Sequence, residues 1–493
     1  MGLSLKIKIA FISSTILLGG LLAYNDIQKR EKTHTAKKPN ILLIAVDDLN
    51  DWVGVLNGHP QAKTPNIDRL ARGGVLFTNA HCQAPVCNPS RASLMTSLYP
   101  SSTGIYFLNP DITDSKVAMK NMVMPKRFEQ EGYHVSAAGK LFHNGKGINE
   151  THIPNYAGQF GGFGPLPNKK ISSFPGHPLW DWGAYPEHDE LMPDYKIAGW
   201  AEKKLTEPGK APFWMGVGFY RPHVPQIVPQ KWFNMYPLET IELPKTIAND
   251  LGDVSQYAMD ITRLKHVAPT HEWVMKNEEW KPLVQSYLAG VSFVDQQIGR
   301  VLDALEAGEY AENTYIVLFS DHGFHLGEKE RFAKRSLWRD GTRVPLIIAG
   351  PGISKGGVCH KPVQLLDIYP TLLELSNLTP DPKHEGNSLK PLLHNNDFNW
   401  PHYARTSFGP GNYAIVSERY RYIQYKDGTE EFYDHQTDPH EWYNEINNPL
   451  YKTTILKHRA ELPRKHHKIL GKGSTGHLSY EASELNITGA KTK

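Results

Sequence analysis

The sequence predicts an α/β fold with a smaller C-terminal subdomain. Residues 39–46 and 314–319 are unbroken apolar runs of the kind that buried parallel strands need. Helical and extended patterns alternate along much of the chain, which is typical of βα units. From about Asn396 the pattern changes to short β-like pieces separated by Gly and Asp turns. These pieces predict a short antiparallel sheet packed on the main domain.

The elements of the main domain can be assigned in chain order. Residues 280–305 predict a helix, because apolar side chains recur on one of its faces. That face carries Val294, Ile298, Val301, Leu302 and Leu305. The other core segments are strands near Ile41 and Val75, helices at 67–72, 90–97 and 123–131, a strand at 134–138, and apolar runs at 213–219, 314–320 and 344–349. The predicted C-terminal strands are 413–416, 420–425 and 431–433.

A stretch rich in Gly, Pro and aromatic residues, 145–193, has neither the helical nor the strand period. Long irregular insertions in compact domains are usually functional loops or disordered segments. We interpret this stretch as a wall of the substrate cleft. A mobile surface loop is the alternative.

The apolar runs 39–46 and 314–319 both lead into acidic residues. Asp47 and Asp48 follow one run, and Asp321 and His322 follow the other. Open α/β sheets bind ligands at the carboxyl ends of their strands. Adjacent carboxylates repel each other unless a cation or hydrogen-bond donors offset their charge, which favours a hard divalent metal. Taken alone, the Asp pair is also typical of a helix N-cap with a solvated neighbour, and His322 of a histidine beside a Gly turn.

Residues 87–91 read Cys-Asn-Pro-Ser-Arg. A cysteine followed by Pro and Arg at these offsets is the stretch that a formylglycine-generating system oxidises to an aldehyde. By itself the run also fits a cysteine in a loop turned by Pro89, paired with Cys82 as a disulfide or sharing a metal with it. The surrounding chain decides between these interpretations.

Together with further motifs in the expected order, these segments resemble the sulfatases of the alkaline-phosphatase superfamily, most closely the iduronate-2-sulfatase branch. The resemblance covers about residues 38–443. It implies a large mixed sheet flanked by helices. Each motif alone is weak, but the ordered set is specific. The further landmarks are residues 64–70, 92–96, 139–143, 221–225, 326–328, 432–434 and 438–442.

The resemblance implies that Cys87 becomes formylglycine (3-oxoalanine), whose hydrate supplies the attacking oxygen. It also implies one divalent cation per chain. Calcium (Ca2+) is expected because oxygen ligands predominate, although an imidazole ligand is unusual for it. Many sulfatases have Asn where this chain has His322, which agrees instead with the iduronate-type branch. The implied metal ligands are Asp47, Asp48, Cys87, Asp321 and His322.

The resemblance also implies roles for the remaining catalytic residues. Lys140 and Lys334 would hold sulfate oxygens, and Arg91 would fix the aldehyde hydrate by charge-assisted hydrogen bonds. His223 is assigned to the leaving group, as a general acid shared with Lys334. His143 would remove the proton from the second hydroxyl of the hydrate, which expels sulfate and restores the aldehyde.

Three classes of function follow. The first is a sulfatase acting on a sulfated oligo- or polysaccharide, with a 2-O-sulfated uronic acid favoured by the branch, and with a formylglycine-generating or sulfatase-maturing enzyme as partner. The second is a phosphatase or phosphodiesterase of the same superfamily, which would normally carry Ser or Thr as nucleophile and a second metal. The third is an inactive glycan-binding surface protein, which would be expected to have lost some of these positions.

Composition and the chain ends add further expectations. A net charge of only +3 over 493 residues argues against a nucleic-acid binder. Two lysines precede the apolar stretch 9–24, which predicts an export signal or an uncleaved membrane anchor, and hence a periplasmic, secreted or tethered protein. With only three cysteines, a disulfide framework is excluded, and a Cys82–Cys359 pair is left open. The expected organisation is 1–36 leader or anchor, 37–393 catalytic domain, 394–470 C-terminal subdomain and 471–493 flexible tail.

Overall fold

A mixed eight-stranded sheet forms the centre of the protein. The computed structural model describes residues 37–143, 152–209, 211–262 and 267–471. The predicted leader, and the predicted tail beyond residue 471, lie outside the described residues. Within the described ranges, no helix has both the length and the apolar character that crossing a membrane requires.

Fourteen strands in the described residues form three sheets. The strands are β1 (Asn40–Val46), β2 (Gly74–His81), β3 (His134–Gly139), β4 (Trp182–Ala184), β5 (Phe213–Phe219), β6 (Gln226–Val228), β7 (Thr314–Ser320), β8 (Arg343–Ala349), β9 (Gly357–Cys359), β10 (Val363–Gln364), β11 (Ala404–Ser407), β12 (Tyr413–Val416), β13 (Tyr420–Gln424) and β14 (Glu430–Asp434).

The main sheet has the strand order β10-β2-β8-β7-β1-β5-β3, with β9 also paired to β2. Strands β7, β1, β5 and β3 run parallel, whereas β8 is antiparallel to both β7 and β2. The predicted α/β fold with a large mixed sheet is therefore confirmed. Along β1, Leu42 and Ile44 pack into one hydrophobic cluster, while Ile41 and Leu43 pack into another. The sheet is thus buried on both faces, which explains why its strands read as continuous apolar runs.

Helices supply the layers that cover these faces. The predicted helices at 67–72, 90–97, 123–131 and 280–305 correspond to α1, α2, α5 and α10 below, and the five apolar residues on the predicted face of α10 are buried. The helices are α1 (Pro65–Gly73), α2 (Cys87–Thr96), α3 (Pro100–Thr103), α4 (Lys116–Lys120), α5 (Met124–Gln130), α6 (Pro193–Thr206), α7 (Gln230–Phe233), α8 (Gln256–Thr262), α9 (His271–Lys276), α10 (Trp280–Glu306), α11 (Arg339–Thr342), α12 (Ile368–Leu375), α13 (Lys390–His394) and α14 (Lys452–Ala460).

Four adjacent parallel strands end at one edge of the main sheet. Val46 of β1 pairs with Phe219 of β5 and with Ser320 of β7, so these three strands end level with one another. Strand β3 ends at Gly139, opposite Gly218 of β5. A Cβ atom at Gly139 would collide with the Gly218 carbonyl, and Gly139 has a φ of +75°, so this close approach favours glycine. The residues that follow these strands therefore meet at a single edge.

The C-terminal antiparallel sheet has the order β11-β12-β13-β14. Its three predicted strands correspond to β12, β13 and β14, whereas the sequence pattern does not predict the edge strand β11. The Trp338 indole donates a hydrogen bond of 2.8 Å to Glu431, and Arg421 forms a buried ion pair of 2.6 Å with Glu441. Arg421 also donates to the Leu337 carbonyl at 2.9 Å. These contacts attach the small sheet to the segment that precedes β8.

The irregular stretch predicted at residues 145–193 is described from residue 152 onward. It contains the short strand β4, which pairs in parallel with β6. Trp180 and Trp182 are buried in the hydrophobic core, and Phe163 packs partly buried beside it. Parts of this stretch therefore pack against the core, whereas other parts, such as those with Leu166 and Ile171, are exposed at the surface.

Asp295 of α10 holds the beginning of α1. Its carboxylate accepts hydrogen bonds from the backbone N–H groups of Ile67, at 2.8 Å, and Asn66, at 3.2 Å. It also accepts one from the Asn66 side chain at 2.9 Å. The N-cap residue of α1, Thr64, makes no side-chain capping bond, so the free N–H groups of the helix depend on Asp295.

We predict that Asp295→Ala lowers the free energy of unfolding by about 1–3 kcal/mol, because buried donors lose their acceptor. Urea denaturation of the wild type and the variant measures the difference. Asp303→Ala is the matched control on the same helix: its side chain is 66% exposed in an ion pair with Arg69, so its loss should be below about 1 kcal/mol. Equal losses in the two variants would contradict the anchoring role of Asp295.

Candidate active site

The predicted site residues come together at the carboxyl edge of the main sheet. Asp47 and Asp48 follow β1, and Asp321 and His322 follow β7. All four side chains are completely buried. The backbone N–H of Asp48 donates to the Asp321 carboxylate at 3.3 Å, which joins the ends of the two strands. Asp48 has a φ of +62°, a conformation that non-glycine residues rarely adopt outside functional sites.

Cys87 is the first residue of α2 and lies against this carboxylate cluster. Its sulfur is 3.2 Å from His322 Nε2 and 3.3 Å from Lys334 Nζ. The N-terminus of a helix carries partial positive charge, so residue 87 is well placed to interact with anions. In the described structure Cys82, Cys87 and Cys359 are all free thiols, and neither the Cys82–Cys87 nor the Cys82–Cys359 disulfide is formed.

Two lysines from distant parts of the chain extend the site. Lys140, directly after β3, forms a fully buried ion pair with Asp47, with Nζ 2.5 Å from Oδ2. Lys334 lies in the loop before α11, and its Nζ is 2.6 Å from Asp48 Oδ1. Each aspartate that follows β1 therefore has its own ammonium partner.

Arg91 lies behind the carboxylates, one turn along α2 from Cys87. Its Nε is 2.7 Å from Asp321 Oδ2, and its Nη2 is 3.4 Å from Asp47 Oδ1. A further nitrogen, Nη1, donates to the main-chain carbonyl of Lys140. The guanidinium thus joins residues that follow β1, β3 and β7. Nη1 also lies 3.4 Å from the Leu141 carbonyl, and the interaction of Arg91 with residue 87 is electrostatic.

The two predicted catalytic histidines occupy different positions around Cys87. His143 forms a side-chain hydrogen bond with Cys87, and burial lowers the pKa of its ring. His223 follows β5, and its Nδ1 is 2.6 Å from the Val224 carbonyl. Because a carbonyl can only accept, Nδ1 carries the hydrogen, and Nε2 lies 3.8 Å from Asp48 Oδ2.

Phe163, from the irregular stretch, covers part of the site. Its ring centroid is 4.6 Å from that of His223, and the Lys140 ammonium lies 5.0 Å from the ring. No sequence motif marks Phe163, although the stretch that contains it is predicted to form a wall of the cleft. The aromatic face excludes water from one side of His223.

Cationic neighbours control the Cys87 thiol. Burial alone raises the pKa of a thiol, but the ammonium groups of Lys140 and Lys334 outweigh it and hold the pKa of Cys87 well below its ordinary value. The His322 ring acts in the same direction. A thiol with lowered pKa in an electropositive setting is reactive.

The acidic groups show the same competition between burial and charge. Burial raises the pKa of a carboxyl group, yet the Lys140 ammonium holds the pKa of Asp47 well below its usual range. At Asp321 burial prevails over the Arg91 charge, and the pKa rises to about 6. For His322 burial favours the neutral ring, but the Asp321 carboxylate raises its pKa to about 9. The cluster therefore contains buried charge that calls for compensation.

The donor set fits a divalent cation. Asp48 Oδ2 is buried and has no hydrogen-bond partner among the described residues, so it has capacity to bind a further positive group. Oxygen donors predominate, which is the preference of calcium, and an imidazole completes the set. Ligand atoms within 4.8 Å of one another are offered by two overlapping groups, Asp47, Cys87, Asp321 and His322, and Asp47, Asp48, Cys87 and His223. The second group places His223 within reach of the same centre.

Other residues position the site, and of these only Ser90 belongs to a predicted motif. Ser90 donates a hydrogen bond of 2.5 Å to the Asp321 carbonyl, and Tyr287 of α10 donates one of 2.7 Å to the Asp48 carbonyl. Asp194 of α6 accepts from the backbone N–H groups of Tyr220, at 2.7 Å, and Arg221, at 3.0 Å. These contacts hold the strand ends, but they join positions that are distant in sequence, and no local pattern announces them.

Two protein-family models match the chain. The model described as Sulfatase matches residues 39–378, more than half of the 493 residues. The model described as N-sulphoglucosamine sulphohydrolase, C-terminal, matches residues 327–468. The loop that contains Lys334 lies in both matches.

The chain is also similar to individual proteins that are named as sulfatases. The chain is 45% identical over 465 residues to a protein named Sulfatase from Formosa agariphila, and the match covers 91% of each chain. It is 31% identical over 393 residues to iduronate 2-sulfatase of Homo sapiens, with 70% of each chain covered. A solved structure in complex with its substrate, D-glucosamine-2-N,6-O-disulfate, has a TM-score of 0.66 and 22% identity over 86% of this chain and 96% of that chain. At this identity the structural likeness concerns the fold.

We predict that Asp321→Ala loses the bound divalent cation and the catalytic activity together, because the carboxylate that joins His322 and Arg91 is removed. Elemental analysis of the purified proteins measures the metal content, and circular dichroism checks the fold. Asp367→Asn is the control, since Asp367 is equally buried but holds the backbone N–H groups of Gln364 and Asn387, and it should keep the metal. A stoichiometric metal in Asp321→Ala would exclude this residue as a ligand.

Proposed function

Because the chain belongs to the sulfatase family, as its motifs predict, we propose that it hydrolyses a sulfate ester of a sulfated saccharide through a formylglycine formed at Cys87. The observation that carries this proposal is the position of Cys87. It begins a helix within 3.3 Å of Lys334 Nζ and 3.2 Å of His322 Nε2, beside three buried carboxylates. A phosphatase or phosphodiesterase would normally have Ser or Thr at this position, and an inactive binding protein would not need the complete cluster.

We propose calcium as the cation, held by Asp47, Asp48, Asp321, His322 and residue 87. When present, the cation and the formylglycine supply the nucleophile and offset charge on the sulfate. The chain's own residues then bind and orient the ester. Lys140 and Lys334 both interact electrostatically with residue 87. Each ammonium has three donors, so each can bind a sulfate oxygen while retaining its aspartate.

His143 and His223 are suited to different proton transfers. Burial lowers the pKa of His143, which leaves its ring neutral near pH 7 and able to accept a proton from the side chain of residue 87. His223 donates from Nδ1 to the Val224 carbonyl, so its Nε2 is the atom available to the leaving oxygen. The Lys334 ammonium supplies positive charge near the same leaving oxygen. These roles make His143 the base for sulfate release and His223 the group that assists the departing alkoxide.

We propose a sulfated oligo- or polysaccharide as substrate, with a 2-O-sulfated uronic acid as the specific candidate. The supporting observation is the similarity to human iduronate 2-sulfatase. We also propose that the apolar stretch 9–24 directs export, or tethers the protein outside the cytoplasm. A separate formylglycine-generating or sulfatase-maturing enzyme would act on Cys87.

We predict that peptide mass spectrometry of active enzyme, produced in a host with a maturation system, shows an aldehyde in place of the Cys87 thiol. Cys82 is the internal control, because it is equally buried, lacks the following Pro and Arg, and should remain a thiol. Cys87→Ser should fold normally and lose turnover, since serine has one hydroxyl where the hydrate has two. Active enzyme containing only unmodified Cys87 would exclude the proposed nucleophile.

We predict that His223→Ala loses far more activity on a sulfated sugar than on an aryl sulfate of low leaving-group pKa. An alkoxide needs a proton as it leaves, whereas a stabilised phenolate needs much less assistance. General acid catalysis contributes about a hundred- to ten-thousand-fold, and the ratio of kcat/KM for the two substrates measures it. Because His223 also lies near Asp48, the metal content of the variant is measured in parallel. Equal losses on both substrates, or loss of the metal, would assign His223 to sulfate or metal binding instead.

A further inference from the structure

Arg335 is a buried cation beside the site that no sequence motif singles out. It follows Lys334, and its backbone N–H donates a hydrogen bond of 3.1 Å to the carbonyl of Pro85, in the loop that leads to Cys87. Its φ of +72° is unusual for a non-glycine residue, and only 5% of the residue is exposed. Such a conformation persists only where surrounding structure maintains it, and it is found most often at functional sites.

The guanidinium of Arg335 lacks the partners that a buried arginine normally has. Its Nε and Nη1 atoms are buried and have no hydrogen-bond partner among the described residues. Arg91, which is similarly buried, instead pairs with the carboxylates of Asp47 and Asp321. A buried charge without partners is costly, so the arrangement indicates a group that binds there during function.

The surroundings of Arg335 favour an anion. Burial lowers its pKa to about 10, and the negative charges of Cys87 and Asp48 only partly offset this effect. Asp48 is already paired with Lys334 at 2.6 Å, and oxidation of Cys87 would remove the thiolate. The neighbouring guanidinium of Arg331 adds positive charge and bonds to main-chain carbonyls, those of Thr262 and Lys334. Positive charge therefore accumulates beside the position where the ester would bind.

We propose that Arg335 binds a second anionic group of the saccharide, a carboxylate or a further sulfate, next to the sulfate that is hydrolysed. The proposal rests on the proposed sulfatase function. A guanidinium presents parallel donors that match a carboxylate or a sulfate with two hydrogen bonds, which an ammonium group cannot do. The scissile sulfate has its own partners in Lys140 and Lys334, so the open donors of Arg335 are available for a different group. Arg335 is therefore a specificity residue that selects polyanionic saccharides.

The test compares Arg335→Met with the wild type on substrates that differ in their second charge. The substrates are an aryl sulfate, a monosulfated neutral sugar, a 2-O-sulfated hexuronide and a disulfated glucosamine. We expect KM to rise about 10- to 150-fold on the substrate that carries the second anion, which is the range for hydrogen bonds to charged groups. On the aryl sulfate and the neutral sugar we expect KM to rise less than about threefold. The larger defect, on hexuronide or on disulfated glucosamine, identifies the second anion as carboxylate or sulfate. Arg335→Lys keeps the charge but not the paired donors, and should recover only part of the loss.

Equal defects on all substrates would overturn the proposal and assign Arg335 to the scissile sulfate or to the fold. Metal content and the aldehyde at residue 87 are measured in each variant to exclude damage to the site. If the variants do not fold, inhibition of the wild type on the aryl sulfate gives the answer: hexuronate glycosides or sulfated glycosides that cannot be cleaved should bind at least about tenfold more tightly than their uncharged counterparts. Equal inhibition would overturn the proposal. A wild type that hydrolyses no sulfate ester would instead remove the proposed function itself.

Discussion

The compensation of buried negative charge is the constraint on which the site depends. Asp47, Asp48 and Asp321 are completely buried at the ends of two neighbouring strands, where water cannot reduce their repulsion. Lys140 and Lys334 each pair with one of the aspartates that follow β1, and Arg91 connects Asp47 with Asp321. Removing any one charged side chain leaves its counterpart as a buried charge without compensation, which is strongly destabilising. The side chains therefore form a single interdependent cluster.

The fold makes this cluster rigid. Asp47, Asp48, Lys140, Asp321 and His322 directly follow parallel strands whose register is set by continuous backbone hydrogen bonds. Both faces of the sheet are packed against hydrophobic layers. Sites built on such elements are held more accurately than sites on exposed loops. The close approach of Gly139 and Gly218 shows how closely the backbones of β3 and β5 pack at the edge of the sheet that Lys140 follows. A buried, charged site of this kind needs little reorganisation when a substrate binds.

The C-terminal sheet contributes to the site through the segment before β8. Glu431 accepts from Trp338, Arg421 donates to the Leu337 carbonyl, and Glu441 accepts from the backbone of Arg339. These contacts fix the residues that follow Lys334 and Arg335. The small sheet therefore supports one side of the cleft, while Phe163 from the irregular stretch closes another. Substrate preference would vary most easily on these two sides, because both are outside the strand edge that carries the charges.

The sequence by itself determined the long strands of the main sheet, the main helices and the motif residues of the site. Strands buried on both faces must be continuously apolar, so β1, β5 and β7 are visible as uninterrupted runs. The acidic residues that follow β1 and β7 are local signals as well. Pairing is not local, and therefore the antiparallel direction of β8, which the sequence predicts only as an apolar run, and the edge strand β11 depended on the tertiary structure. The same reason applies to Phe163 and Tyr287, whose partners lie far away in the chain. It also applies to Arg335, because only the assembled structure shows that its Nε and Nη1 atoms are buried without a hydrogen-bond partner among the described residues. Residue types and spacing reveal which chemistry is present, whereas the assembled sheet edge decides which groups share one buried space and which donors are left for a substrate.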